Sequence, residues 1–238
     1  MQFRAGVDAF QKNDLKAART AFESALKLDP SHVVTLFDLG LLESKEGHQG
    51  RAIALWRKAL ALAPEFRPAR NAIDYTRAKL ERAEIPHEVE TWEQLRSAAL
   101  ANVVLEKYVV IAAALVFFAI WLFLGDFGAR RRAHLDEKPL PGFPFVATFF
   151  SLASIVFVVL TIAKIVDMQE LRGTVVTKKI EARSTPNEAG TALFDLYEGL
   201  EVIVRQTSGE WLQVTYPGAS TGWVPRASVF TTADQAVR

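Results

Sequence analysis

Four histidines and 27 carboxylates are the groups with which this 238-residue chain could do acid–base or metal chemistry, and there is no cysteine. A histidine metal site needs its ligands on one side of a helix or loop, as with two histidines one helical turn apart. His32, His48, His87 and His134 have no such spacing and fall in turns, linkers or loops. Without cysteine there are no disulfides, thiol nucleophiles or thiolate ligands, a composition compatible with an oxidising compartment. No glycine-rich phosphate loop and no nucleophile elbow occurs. Most carboxylates stand beside Lys or Arg, as on solvated helix faces. Glu106 with Lys107, and Lys164 with Asp167, lie at the ends of apolar runs rather than within them, so they mark no ion path. The chain is therefore expected not to be an enzyme and to carry no catalytic, cofactor-binding or metal-binding residues.

Binding surfaces are the remaining possibility, and the N-terminal 80 residues supply one through self-similarity. Gly6, Ala18, Phe22, Ala25 and Pro30 recur 34 residues later as Gly40, Ala52, Trp56, Ala59 and Pro64. Each unit reads as two helices with a turn at Asn13-Asp14 or Gly47-His48. Small residues sit where helices cross closely, an aromatic fills the space between them, and a proline helps to end the second helix. The pattern resembles the tetratricopeptide repeat, with Arg67 to Leu80 as a third first-helix capping the stack. That resemblance implies a concave peptide-binding face, here Phe3, Val7, Phe10, Phe37, Leu41, Lys45, Asn71 and Tyr75. The aromatic stripe reads equally as inter-helix packing. The Lys and Asn cluster that grips a C-terminal carboxylate in chaperone-binding relatives is missing.

Two apolar runs follow. Tyr108 to Gly125 is 18 residues without a charge, and 25 uncharged residues separate Lys138 from Lys164. As helices, 18 to 20 residues rise roughly 27–30 Å, the thickness of a bilayer core. Neither run has the polar face of a soluble core helix. A transmembrane hairpin is expected, with spans at about 108–125 and 144–166 and a loop at 126–143. Residues 81–107 read as a charged linker and an interfacial helix, in which Thr91 caps and Trp92 and Leu95 lie at the membrane surface.

Beyond Arg172 the pattern turns to β-type stretches, at Val175 to Ile180, Glu201 to Arg205, Trp211 to Thr215 and Thr221 to Val224. Ala182-Arg183-Ser184, Tyr197-Glu198-Gly199 and Gly222-Trp223-Val224-Pro225, together with Trp211, resemble a bacterial SH3-like barrel over residues 173–232. Tyr197, Trp211 and Pro225 are its candidate ligand residues. Ser228 stands where a groove tyrosine is expected, which disfavours a proline-rich ligand. Trp223 is expected to pack the barrel core. The fold class is a multidomain membrane protein: an α-helical repeat solenoid, a transmembrane helical hairpin and an all-β barrel.

Charge is balanced, at 16 basic and 15 acidic groups over residues 1–107 and 6 and 7 over residues 173–238, so no nucleic-acid partner is expected. Arg130, Arg131, Arg132 and Lys138 concentrate in the hairpin loop and favour a cytoplasmic loop with both termini in the periplasm, at a bacterial inner membrane. Met1 falls inside the first repeat helix, so a signal peptide is expected upstream. Without one, both domains would be cytoplasmic. The order of parts resembles the BatE (Bacteroides aerotolerance) family. That resemblance implies a non-enzymatic scaffold for aerotolerance or envelope stress. Its implied partners are membrane-anchored von Willebrand A proteins and a MoxR-type AAA+ ATPase system. The alternative is a peptidoglycan-binding adaptor that recruits a cell-wall enzyme.

Overall fold

Turn-forming residues cut the N-terminal sequence into short amphipathic segments, and these become the helices of the structure. A computed structural model describes residues 2–80, 96, 100, 103–216 and 221–233. The chain divides into two compact units, Met1–Arg96 with Glu170–Arg238, and Ser97–Gln169.

Five helices open the first unit: α1 (Gln2–Gln11), α2 (Leu15–Leu28), α3 (Val33–Lys45), α4 (Gln49–Leu62) and α5 (Arg67–Lys79). Each packs on the next. Starts and ends of α2 and α4 lie 34 residues apart, matching the sequence period. The turns form where expected, with Asn13 at φ 62° and Gly47 at φ 91°. Asp14 caps α2 by accepting from Ala17 N at 3.0 Å. Ala18, Phe22, Leu26, Leu36, Leu39, Ala52, Leu55, Trp56 and Ala59 form the buried centre. A Cβ on Gly6 would collide with the Phe22 ring, and one on Gly40 with the Trp56 indole. The indole Nε1 donates to the Phe37 carbonyl at 3.1 Å, so the largest core side chain is also satisfied.

The same unit contains an antiparallel sheet in the order β3-β2-β6-β5-β4-β1-β7. Its strands are β1 (Arg172–Val175), β2 (Lys179–Arg183), β3 (Ala192–Tyr197), β4 (Glu201–Ser208), β5 (Trp211–Thr215), β6 (Thr221–Pro225) and β7 (Val229–Thr231). Val175, Leu196, Val202, Leu212, Val214 and Val224 line its core. The single strand expected from Val175 to Ile180 is two strands. Val175 ends β1 and Lys179 begins β2, because Val176 N turns away to the Ser228 carbonyl at 2.9 Å. Strands β3 and β7 were not anticipated.

The sheet is docked on the helices. Gly50 of α4 lies so close to β1 that a Cβ would stand 2.7 Å from the Val175 carbonyl oxygen. Its N–H donates to Glu198 Oε1 at 2.6 Å, and Arg57 Nη1 donates to Thr174 Oγ1 at 2.8 Å. Phe230 of β7 packs against the helical core.

The second unit holds α6 (Leu105–Leu135) and α7 (Phe145–Gln169), packed against each other. Both are long and apolar enough to cross a membrane, with mean hydropathies of 2.6 and 2.5 and only 17% and 11% of those windows buried. Their contact uses small side chains, Ala112 and Ala119 on α6 and Ala147 and Ser154 on α7, and Phe118 meets Phe150 edge-on at 4.9 Å. The expected loop at 126–143 is shorter, because α6 runs on to Leu135. Asp126 and Arg130 pair at 2.6 Å one turn apart and support the helix past the apolar run. Similarly, α7 ends at Gln169, past the expected limit of 166. The linker and interfacial helix expected at 81–107 fall largely outside the described residues.

The packing around Trp56 gives a direct test. Trp56→Ala should cost the folded unit about 3–5 kcal/mol, read as a lower thermal midpoint by far-ultraviolet circular dichroism.

Candidate binding surfaces

The helix-face residues fall into two groups. Phe3, Val7, Phe10, Phe37 and Leu41 are half-buried and pack against the helical core. Phe3 meets Phe22 and His32, with ring centroids 6.3 and 5.3 Å apart. Phe37 meets Phe66 edge-on at 5.5 Å. These side chains therefore knit neighbouring helices while keeping part of their surface open. Lys45, Asn71 and Tyr75 are exposed. Lys45 links α3 to the α1–α2 turn, with Nζ 5.2 Å from the Phe10 centroid and 2.6 Å from Asn13 Oδ1. Tyr75 lies under Lys79 of its own helix, at 4.2 Å.

On the sheet, Trp211 and Pro225 are direct cross-strand partners. Tyr197 is not beside them: it belongs to β3, and β2 and β6 lie between β3 and β5. There it partly covers the sheet core and receives Lys179 at 5.8 Å. Trp223 is not a core residue. Gly222 and Val224 are its buried neighbours, and Trp223 stands half-buried on the opposite face, as strand alternation requires. Trp211 and Gln213 face Pro225 and Trp223 in register, so two tryptophans share one outer surface. Ser228 is buried and its carbonyl holds Val176 N, so it lines no groove.

Two charge clusters escaped sequence reasoning. In the first, Glu43, 1% exposed, meets Arg19 at 2.7 Å, His48 at 2.9 Å and Arg51 at 3.0 Å. Arg19 also reaches Glu46. Ligand atoms of Glu43, Glu46 and His48 lie within 4.8 Å of one another, but Arg19 and Arg51 already neutralise the carboxylates. Burial alone would raise Glu43. Arg19, Arg51 and His48 outweigh it and hold the carboxyl below its usual range. His32 is also placed by the fold: its Nδ1 accepts from Thr35 N at 3.2 Å and caps α3. His134 sits in the last turn of α6, and His87 lies outside the described residues.

The second cluster lies in the helix–sheet seam. Arg96 is 3.8 Å from Glu201, which pairs in register with Thr174, the acceptor of Arg57. Burial would raise Glu201, yet Arg57, Arg172, Arg96 and Arg77 together hold it ionised below its usual range. Burial lowers Arg57 below the usual guanidinium value. No local pattern announces either cluster; Arg57 and Thr174 are 117 residues apart.

Comparison of the chain with protein-family models, with curated proteins and with solved structures finds no match.

Glu43 makes a pH prediction with a definite sign. A depressed folded value gives stability that is present above the unfolded carboxylate range, about pH 4.3, and lost as pH falls through the folded value. Glu43→Gln should therefore lose about 3 kcal/mol at pH 7 and show a shallower acid limb than the parent. Thermal midpoints measured from pH 7 down to pH 3 check both.

Proposed function

We propose that the chain is a non-enzymatic scaffold held on a membrane by a two-helix hairpin, with repeats of tetratricopeptide type and a sheet of SH3-like type as its binding parts. The observation that carries this reading is the division of the chain. Residues on both sides of the hairpin, Met1–Arg96 and Glu170–Arg238, belong to one compact unit. Two membrane crossings return a chain to the side it left, so a hairpin is the connection such a unit needs. Exposed apolar side chains along α6 and α7, among them Phe117, Trp121, Leu124, Phe149 and Leu152, suit a lipid environment.

The binding parts are the partly open aromatic face of α1 and α3 and the outer face of β5 and β6. Both are short of charge and fit extended peptides. By the resemblance of the domain order to the BatE family, the partners would be membrane-anchored von Willebrand A proteins and a MoxR-type ATPase system. The folded unit would then face the periplasm. Trp211 and Trp223, side by side on one outer face, favour cell-wall binding as the second reading.

In the full-length protein, resistance to alkaline carbonate extraction is expected from the hairpin. A reporter fused after Lys138 should be active in the cytoplasm and one fused after Arg238 in the periplasm. The reverse pattern would remove the envelope role and leave a cytoplasmic adaptor. Purified full chain with Trp211→Ala and Trp223→Ala should lose at least tenfold in sacculus retention under the cell-wall reading. Unchanged retention would remove that reading.

A further inference from the structure

The arginines of the helix–sheet seam form a ladder that leads to the end of α7. On β4, Val202 and Val204 face the sheet core, so Glu201, Ile203 and Arg205 lie on the other face. On β1, Arg172 pairs with Ile203 and Thr174 with Glu201. At the inner rung, Arg57 donates to Thr174 at 2.8 Å and Arg96 stands 3.8 Å from Glu201. Arg77 of α5 acts on Glu201 electrostatically. At the outer rung, Glu170 is shared by Arg172 at 2.6 Å and Arg205 at 3.8 Å. Among the described residues of the ladder, five arginines thus share two carboxylates.

Position gives this excess a meaning. Only Glu170 and Leu171 separate Gln169, the last residue of α7, from Arg172, the first of β1. Three residue steps of extended chain span at most about 10 Å, close to the depth of a headgroup layer. Arg205 is tied to the same point, since Val204 N donates to the Leu171 carbonyl at 2.8 Å. Its side chain remains 49% exposed, and Arg77 is exposed. Guanidinium forks match phosphate oxygens in geometry as well as charge. Resting on the reading of α6 and α7 as a membrane hairpin, we propose that this ladder binds the phosphate headgroup of an anionic phospholipid. The headgroup meets the outer rung, Arg172 and Arg205, and the inner arginines add their field. Lipid charge would thereby hold the folded unit close to the bilayer.

The test uses the full chain, purified in detergent and reconstituted in nanodiscs of phosphatidylcholine with and without phosphatidylglycerol. Native mass spectrometry should find phosphatidylglycerol retained over phosphatidylcholine of the same acyl chains. Arg205→Gln and Arg77→Gln, both at exposed positions, should each cut that preference about fivefold. Arg131→Gln with Arg132→Gln, at the hairpin's other end, should leave most of it. Equal retention of the two lipids overturns the proposal, as does a preference that depends only on Arg131 and Arg132. So does free inorganic phosphate, if it raises the thermal midpoint in phosphatidylcholine discs as much as phosphatidylglycerol does. Release by alkaline carbonate would instead overturn the hairpin reading, and the lipid site with it. Carbonate-resistant protein without lipid preference overturns the lipid site alone.

Discussion

The approach of α4 to β1 at Gly50 is the contact on which the folded unit depends. With no side chain at that position, the helix comes close enough for its N–H to donate to Glu198 and for Arg57 to reach Thr174. A methyl group there would meet the Val175 carbonyl oxygen and the Glu198 side chain. Close approach also seals the Arg57–Glu201 region from water, which is costly for ions unless each finds a partner. Apolar contacts offset that cost: Phe230 from the sheet and Leu80 from the end of α5 both pack against the helical core. The sheet thereby completes a core that begins in the repeats, and neither part is a free bead on a linker.

This contact closes a long loop in the chain. The halves that meet are separated in sequence by both apolar helices. Loop-closure entropy rises only slowly with length, so the separation itself is tolerable. A hairpin lowers the cost further, because α6 and α7 pack as antiparallel neighbours through Ala112, Ala119, Ala147 and Ser154. Small residues matter there, since helices in lipid gain their affinity from close backbone approach rather than from hiding apolar surface. A buried lysine adds a polar tie, with Lys164 Nζ donating to the Leu100 carbonyl at 2.7 Å.

Legibility in the sequence followed the range of the interactions. Gly6, Gly40, Phe22 and Trp56 announced the helix pairs because the requirement for a small residue against an aromatic repeats at fixed spacing. The apolar runs announced α6 and α7, but not the end of α6, where Asp126 and Arg130 extend the helix without apolarity. Strand β3 was missed because Ala192–Tyr197 mixes exposed Leu193 with half-buried Asp195, and β7 because three residues give no period. Trp223 was assigned inward on the size of its ring, whereas counting by two from Val224 turns it outward. Among the candidate binding residues, Trp211 and Pro225 were correctly adjacent in kind, while Tyr197 shares their motif and not their strands. The seam was invisible, since its partners come from distant stretches that carry no shared pattern.

Docking decides which surfaces remain for partners. The face of β4, β1 and β7 that would otherwise be open is taken by α4, and the two remaining surfaces belong to one body. Two modules on a flexible linker would add their affinities only after a loss set by linker length. Surfaces on one rigid unit avoid that loss but demand a partner whose two contacts match their spacing. Such a unit discriminates by geometry more than by charge, which suits surfaces built from Phe3, Phe10, Phe37, Trp211 and Trp223. The same rigidity makes the seam a point of control. Whatever loosens Gly50 from Val175 and Glu198 changes the spacing of both surfaces at once, so a partner bound to one would respond to the state of the other through the seam alone.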